Sequence, residues 1–182
     1  IHVLDSISHF FRKFKKDKKI VNLAEYIIGK KVVPQWVQLF AKPAKIGLET
    51  PPHQDNYFWC VNGCETMTCW ITLEKVSKKN GGLYYYNNSN KFSRLEHKNS
   101  YSKGTSQTIS KKGLKKLGNC KKEFISAKPG DLIIHHGYVV HGSKRNNSTT
   151  SRKAISIWFK SKASKYNLLN LKKYKLNLKK QH

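Results

Sequence analysis

The sequence is short of negative charge. Only 10 of its 182 residues are Asp or Glu, against 36 Lys or Arg, giving a net charge of +26. Alone, that imbalance points to a polyanionic partner. Arginine is scarce too: Arg12, Arg94, Arg145 and Arg152 are the only four, and the rest of the positive charge is lysine. Dedicated phosphate readers favour the planar guanidinium fork, so nucleic acid is not the expected partner. Heavy Lys and Asn usage also fits the codon habit of an AT-rich genome. The surplus reads first as a solvated face, and second as attraction for an anionic small molecule.

Long apolar runs are missing as well. None reaches the roughly 18 residues that a membrane span needs. The N-terminal stretch turns basic after Phe10 and Phe11 instead of entering the apolar segment of a secretory leader, so a cytoplasmic location is expected. The chain starts at Ile1, not Met, which leaves open a processed form or a piece of a longer chain. The four cysteines, Cys60, Cys64, Cys69 and Cys120, match no common zinc spacing. They read as reduced, mostly buried thiols. Hydrophobic residues are 38% and aromatics 12%, enough for a globular chain with its own core.

The pattern along the chain is helical first and then β. Apolar residues at helical spacing over 2–14 and a second stretch over 20–28 ending at Gly29 predict a helical part within residues 1–30. Residues 32–40 read as a strand with Pro34 near its start, which suits a strand entry or an edge. Short strands follow at 53–60, 66–73 and 83–86, then at 132–136 and 154–159, with turns at Asn80-Gly81-Gly82 and Lys128-Pro129-Gly130-Asp131. A polar excursion over 87–120 reads as a loop with a little helix. The tail 161–182 is basic and free of acid, an amphipathic helix or a loose appendage. One domain spanning 1–182 is expected, with a β core over 32–160. Many short strands between turns suggest a sandwich or barrel.

The chemistry centres on His53-Gln54-Asp55. In a strand, residues i and i+2 share a face, so one imidazole and one carboxylate can converge. His141, after the apolar strand that leaves the Pro-Gly-Asp turn, can supply a second imidazole. Two histidines and one carboxylate on one face of an ion make the facial triad of non-haem Fe(II) sites. A His-x-Asp tripeptide alone is weak evidence. Arg152, on the strand expected after His141, adds a fork that can hold a carboxylate bidentately, and Ser143 can hydrogen-bond the same group.

Several segments together resemble the phytanoyl-CoA dioxygenase family of Fe(II)/2-oxoglutarate oxygenases. They are Pro-Pro-His-Gln-Asp at 51–55, Cys69-Trp70-Ile71-Thr72-Leu73 leading to Asn80-Gly81-Gly82-Leu83, and Lys128-Pro129-Gly130-Asp131. His141-Gly142-Ser143 and Arg152-Lys153-Ala154-Ile155-Ser156 complete the set. The resemblance implies a mainly β fold with flanking helices, a double-stranded β-helix of the jelly-roll, cupin-like kind. It implies iron held by His53, Asp55 and His141. Arg152 and Ser143 would hold the distal carboxylate of 2-oxoglutarate, with Trp70 beside it and Lys42 reaching it. Asn90 stands where the family commonly has histidine, and Lys144-Arg145 where Gly-Pro is frequent. Because Asp55 is present, the implied reaction is hydroxylation of a small molecule with O2, releasing succinate and CO2, and not halogenation.

Candidate substrate contacts are Gln38, which shares a strand face with Trp36 and Lys42, together with Tyr57 and His136. Of His135 and His136, adjacent on one strand, only one can face the triad. Two competing readings stand beside the oxygenase: a non-catalytic metal- or ligand-binding β-barrel, and a basic nucleic-acid-binding protein.

Overall fold

The computed structural model describes residues 2–103 and 105–180. In chain order its helices and strands begin with β1 (His2–Val3), α1 (Leu4–Ile7), α2 (His9–Phe14), α3 (Lys18–Ile28), β2 (Val32–Lys42) and β3 (Thr50–His53). Next come α4 (Asp55–Trp59), β4 (Thr66–Thr72), β5 (Leu83–Tyr86), β6 (His97–Ser102), β7 (Thr105–Ile109) and α5 (Lys111–Lys115). The chain continues through β8 (Lys122–Phe124), β9 (Leu132–His136), β10 (His141–Ser143), β11 (Arg152–Ser161) and α6 (Leu168–Lys179). Two antiparallel sheets form the core. The larger has the order β1-β2-β11-β4-β9, the smaller β3-β10-β5-β8, and β6 and β7 pair as a separate hairpin. This is the jelly-roll arrangement, in which most sheet neighbours are distant in sequence.

Strand periodicity divides the larger sheet into two environments. On β11, Ile155, Ile157 and Phe159 face outward with Met67 and Cys69 of β4 and Val37 of β2, and the N-terminal helices cover them through Phe11, Phe14, Ile20, Val21 and Ala24. The alternate residues Arg152, Ser156 and Trp158, with Thr68 and Trp70 of β4, face inward to line a cavity. Phe159 is fully buried, and its truncation to Ala would cost about 3–5 kcal/mol. Both faces of these strands are covered: the outward face is apolar, and the inward face mixes aromatic with polar and charged side chains.

The helical cover is well terminated. Asp17 caps α3 by accepting from the Lys19 amide, and Gly29 ends it at φ 73°, a left-handed conformation that glycine takes without strain. The outer edge of β2 is also managed. β1 pairs only with Gln38 and Leu39. Beyond it, Asp5 Oδ1 accepts the Val37 amide at 2.8 Å, Lys15 donates to the Gln35 carbonyl, and Pro34 offers no N–H at all. Each device blunts an edge that would otherwise template aggregation.

The structure departs from expectation in three places. Residues 2–14 are not one helix: His2–Val3 joins the sheet, and the helical part breaks at Ser8 in extended conformation. The strand expected over 53–60 ends at His53, and Asp55 opens α4. A carboxylate in the first turn is favoured by the helix dipole. The excursion 87–120 holds the β6–β7 hairpin, packed on β3, and its own small core of Leu95, Ile109, Leu117 and Val140. Its strands carry Ser, Thr, Asn and Gln, so no apolar alternation marks them. The tail, expected as an amphipathic helix or a loose appendage, forms the helix α6, which packs on α4.

Candidate active site

The two histidines meet across a strand pair. His141, first residue of β10, lies in register with His53, last residue of β3, and their rings are 4.3 Å apart. Gly142 keeps β10 tight between its neighbours, because a Cβ there would fall 2.7 Å from the Thr50 carbonyl. Asp55 reaches the same point from the start of α4, its Oδ1 lying 3.5 Å from His53 Nε2 and 3.6 Å from His141 Nε2. One donor atom from each residue fits within a 4.8 Å group. The convergence is thus built from a strand end and a helix start, not from one strand face.

The orientation of each donor has a cause. His53 Nδ1 bonds the Pro51 carbonyl at 2.8 Å and His141 Nδ1 bonds the Val139 carbonyl at 3.1 Å. A carbonyl only accepts, so each Nδ1 carries the proton and each Nε2 presents its lone pair to the centre. Burial pushes the His141 imidazole down to about 3, against the pull of Asp55, so that lone pair stays free at neutral pH. Burial raises the Asp55 carboxyl, but the surrounding His141, His135 and His53 imidazoles, with the hydrogen bond from His135 Nε2, outweigh it and hold Asp55 well below its ordinary value. Between the two ligands, Gln54 is fully buried. Its amide donates to the Tyr138 and Ser93 carbonyls and accepts from the Leu95 amide, which locks the strand-to-helix corner. The donor set of two imidazoles and one carboxylate suits a divalent transition metal such as iron(II).

A second cluster lies at the mouth of β11. Arg152 is paired in register with Lys42 of β2, and both are buried. The guanidinium sits 5.1 Å over the Trp70 ring and donates to the Gly81 carbonyl at 3.2 Å. Its Nε has no hydrogen-bond partner among the described residues. Burial draws Arg152 down to about 10, and burial together with Arg152 draws Lys42 down to about 7. Two buried cations side by side, one with an orphaned donor, fit a carboxylate that would complete them. Ser143, also buried, lines the same cavity.

The cavity joining the two clusters has a volume of about 880 Å³. Phe40, Phe58, Trp36, Trp59 and Trp158 form its apolar wall. Trp59 stacks on Trp158 at 4.2 Å and Trp36 meets Trp158 edge-on at 5.0 Å. Leu171 and Tyr174 of α6, with Lys103 and Ser106 of the hairpin region, close over it.

The sequence candidates fall in two groups. His53, Asp55, His141, Arg152, Ser143, Trp70, Lys42 and Gln38 all line this cavity. Tyr57 and His136 do not. Tyr57 stacks on His97 at 3.9 Å beneath Arg94, in a separate small cleft. His136 is exposed, its Nδ1 accepting the Tyr138 amide, because strand parity turns it away and turns His135 in. Sequence reasoning also passed over Thr68, Tyr85 and Trp158, whose inward parity on β4, β5 and β11 was the available signal.

The family model described as phytanoyl-CoA dioxygenase (PhyH) matches residues 2–154. Phytanoyl-CoA dioxygenase 1 of Oryza sativa subsp. japonica is 30% identical over 165 residues, covering 86% of this chain and 54% of the relative. The chain spans about half the length of the curated relatives it matches. Among solved structures, the non-heme alpha ketoglutarate dependent epimerase SnoN from nogalamycin biosynthesis superposes with a TM-score of 0.73 at 17% identity, covering 92% of this chain and 62% of that one. EctD from S. alaskensis, solved with 2-oxoglutarate and 5-hydroxyectoine, gives 0.68 at 19%, covering 83% and 52%. These likenesses identify the fold as the double-stranded β-helix. No helix among the described residues is long and apolar enough to cross a membrane.

Proposed function

The chain belongs to the phytanoyl-CoA dioxygenase family, and from that premise we propose that it is an Fe(II)/2-oxoglutarate-dependent dioxygenase that hydroxylates a small molecule. The observation that carries the reading is the pairing of the two clusters in one cavity: three convergent metal donors at one point, and an uncompensated Arg152–Lys42 cation pair beside them. His53, Asp55 and His141 would hold the iron. Arg152, with its orphaned Nε, and Lys42 would take the distal carboxylate of 2-oxoglutarate, with Ser143 and Trp70 beside it. When bound, iron(II), 2-oxoglutarate and O2 together supply the oxidising chemistry, which yields succinate, CO2 and hydroxylated substrate.

The chain's own part is positioning and exclusion. The backbone carbonyls of Pro51 and Val139 fix which nitrogen of each imidazole faces inward. Asp55 would take the place that a halide needs, which disfavours halogenation and leaves hydroxylation as the proposed outcome. The aromatic wall offers Trp36, Phe40 and Trp158 to an apolar substrate body, with Gln38 as a polar contact. Lys103 at the rim and the +26 surface would draw an anionic substrate inward.

A succinate-release screen over small carboxylates and phosphates, run with Arg152→Ala as the blank, tests the reading. Substrate-dependent succinate from the wild type and none from the blank is the expected result. Equal release from both contradicts it.

A further inference from the structure

The carboxylate of Asp55 has two unlike oxygens. Oδ1 faces the two imidazole nitrogens. Oδ2 points away and receives two hydrogen bonds, from Thr68 Oγ1 at 2.8 Å and from His135 Nε2 at 3.0 Å. Thr68 and His135 are register partners on β4 and β9, so one rung of the larger sheet delivers both donors. His135 is itself held: its Nδ1 lies 2.9 Å from the Tyr85 hydroxyl on β5, in the opposite sheet. An ionised carboxylate only accepts, so the Nε2 proton belongs to His135, and Nδ1 is free to accept the Tyr85 phenol proton. Burial drives the Tyr85 phenol far up, which keeps it a donor. The chain Tyr85 to His135 to Asp55 therefore runs in one direction and spans the gap between the sheets.

We propose that His135, oriented by Tyr85, is a positioning residue that restricts Asp55 to binding the metal through one oxygen. The inference rests on the iron-centre reading above. With Oδ2 already engaged by two donors, a two-oxygen clamp on the metal would have to strip both hydrogen bonds. A one-oxygen ligand would leave the ion with room for both a 2-oxo acid and oxygen, where a two-oxygen clamp would take up one more position. His136, one residue on, cannot do this, because strand parity turns it to solvent.

Cobalt(II) serves as the probe, added anaerobically and followed by calorimetry and by its visible bands. His135→Phe removes the donor, His135→Gln restores an N–H at the Nε2 position, and Tyr85→Phe removes only the orienting hydroxyl. The expected results are an affinity for Co(II) lowered about 10–100-fold in His135→Phe with altered visible bands, most of both recovered in His135→Gln, and a smaller loss in Tyr85→Phe. Melting curves of the metal-free variants identify any that do not fold, and the Gln and Tyr85 variants then decide. Wild-type affinity and bands in His135→Phe overturn the proposal; where that variant misfolds, so does wild-type behaviour in a well-folded Tyr85→Phe, or an unrecovered loss in a well-folded His135→Gln. If His53→Ala binds Co(II) as tightly as wild type, the metal centre itself is wrong, and the positioning role falls with it.

Discussion

The two ends of the cavity are built on opposite electrostatic plans. At the His53–Asp55–His141 end, nearly every polar atom not aimed at the centre already has a partner: Pro51 and Val139 take the imidazole protons, and Thr68 and His135 take the outer carboxylate oxygen. At the Arg152–Lys42 end, two cations are buried together, and among the described residues no carboxylate is bonded to either and one guanidinium nitrogen has no partner. The first end is preorganised in the absence of anything bound. The second is held at a cost that an incoming anion would offset. The contrast implies that metal and cosubstrate obey different rules: metal affinity depends on geometry already present, and cosubstrate affinity on charge left uncompensated.

Arg152→Ala breaks the contrast most severely. It should weaken 2-oxoglutarate binding by about a hundredfold or more, in line with the cost of removing one partner of a buried charge pair, and leave metal affinity within a few-fold of wild type. Calorimetry with each ligand in turn reads both. A parallel loss of metal would show the two ends to be one cooperative unit.

The next effect is a pH dependence that belongs to Lys42. Its amine is held at about 7 in the folded chain against an ordinary 10.5. Between those values the unfolded chain binds the extra proton, so stability rises with pH across that window, and the penalty of the charged amine is complete below about 7. Bound 2-oxoglutarate favours the charged amine, so it should flatten the trend, and affinity for it should fall as pH climbs above 7. Chemical denaturation of wild type and Lys42→Met from pH 6.5 to 10 reads the slope. The same slope in both proteins would remove Lys42 as its source.

A comparable effect of opposite placement is expected from His97, buried against Tyr57 and pushed down to about 3 by burial. It accepts the Gln54 amide at 3.2 Å and so braces the ligand corner. The unfolded histidine takes up its proton near 6.5, so stability should fall as pH drops from 6.5 towards 3. His97→Gln should shrink that acid limb in melting curves. The smallest effect is ionic. If the +26 surface steers an anionic substrate, the apparent substrate-capture rate should fall severalfold between low and physiological salt, while the metal affinity stays level.

How much of this was legible in the sequence depended on spacing against parity. His53, Asp55, His141, Arg152 and Trp70 sit in short motifs whose order can be read directly, and inward faces such as Trp36, Gln38 and Lys42 follow from the period of two. Which of His135 and His136 points inward did not follow, because Ile133 and Ile134 are partly buried on opposite faces of β9 and hide its phase. The same spacing of His53 and Asp55 is produced by a strand or by a strand-to-helix corner, so the helix start was invisible until Gln54 was seen locking it. The β6–β7 hairpin was hidden by its polar strands, where Gln107 and Ile109 are the buried alternates.

The preorganised end is the part of the account on which the rest depends. Anaerobic titration of Fe(II) into wild type, His53→Ala and Asp55→Ala addresses it directly. Tight binding of a single ion by the wild type, weakened at least about a hundredfold in each variant, is the predicted result. Equal binding by all three proteins would contradict it.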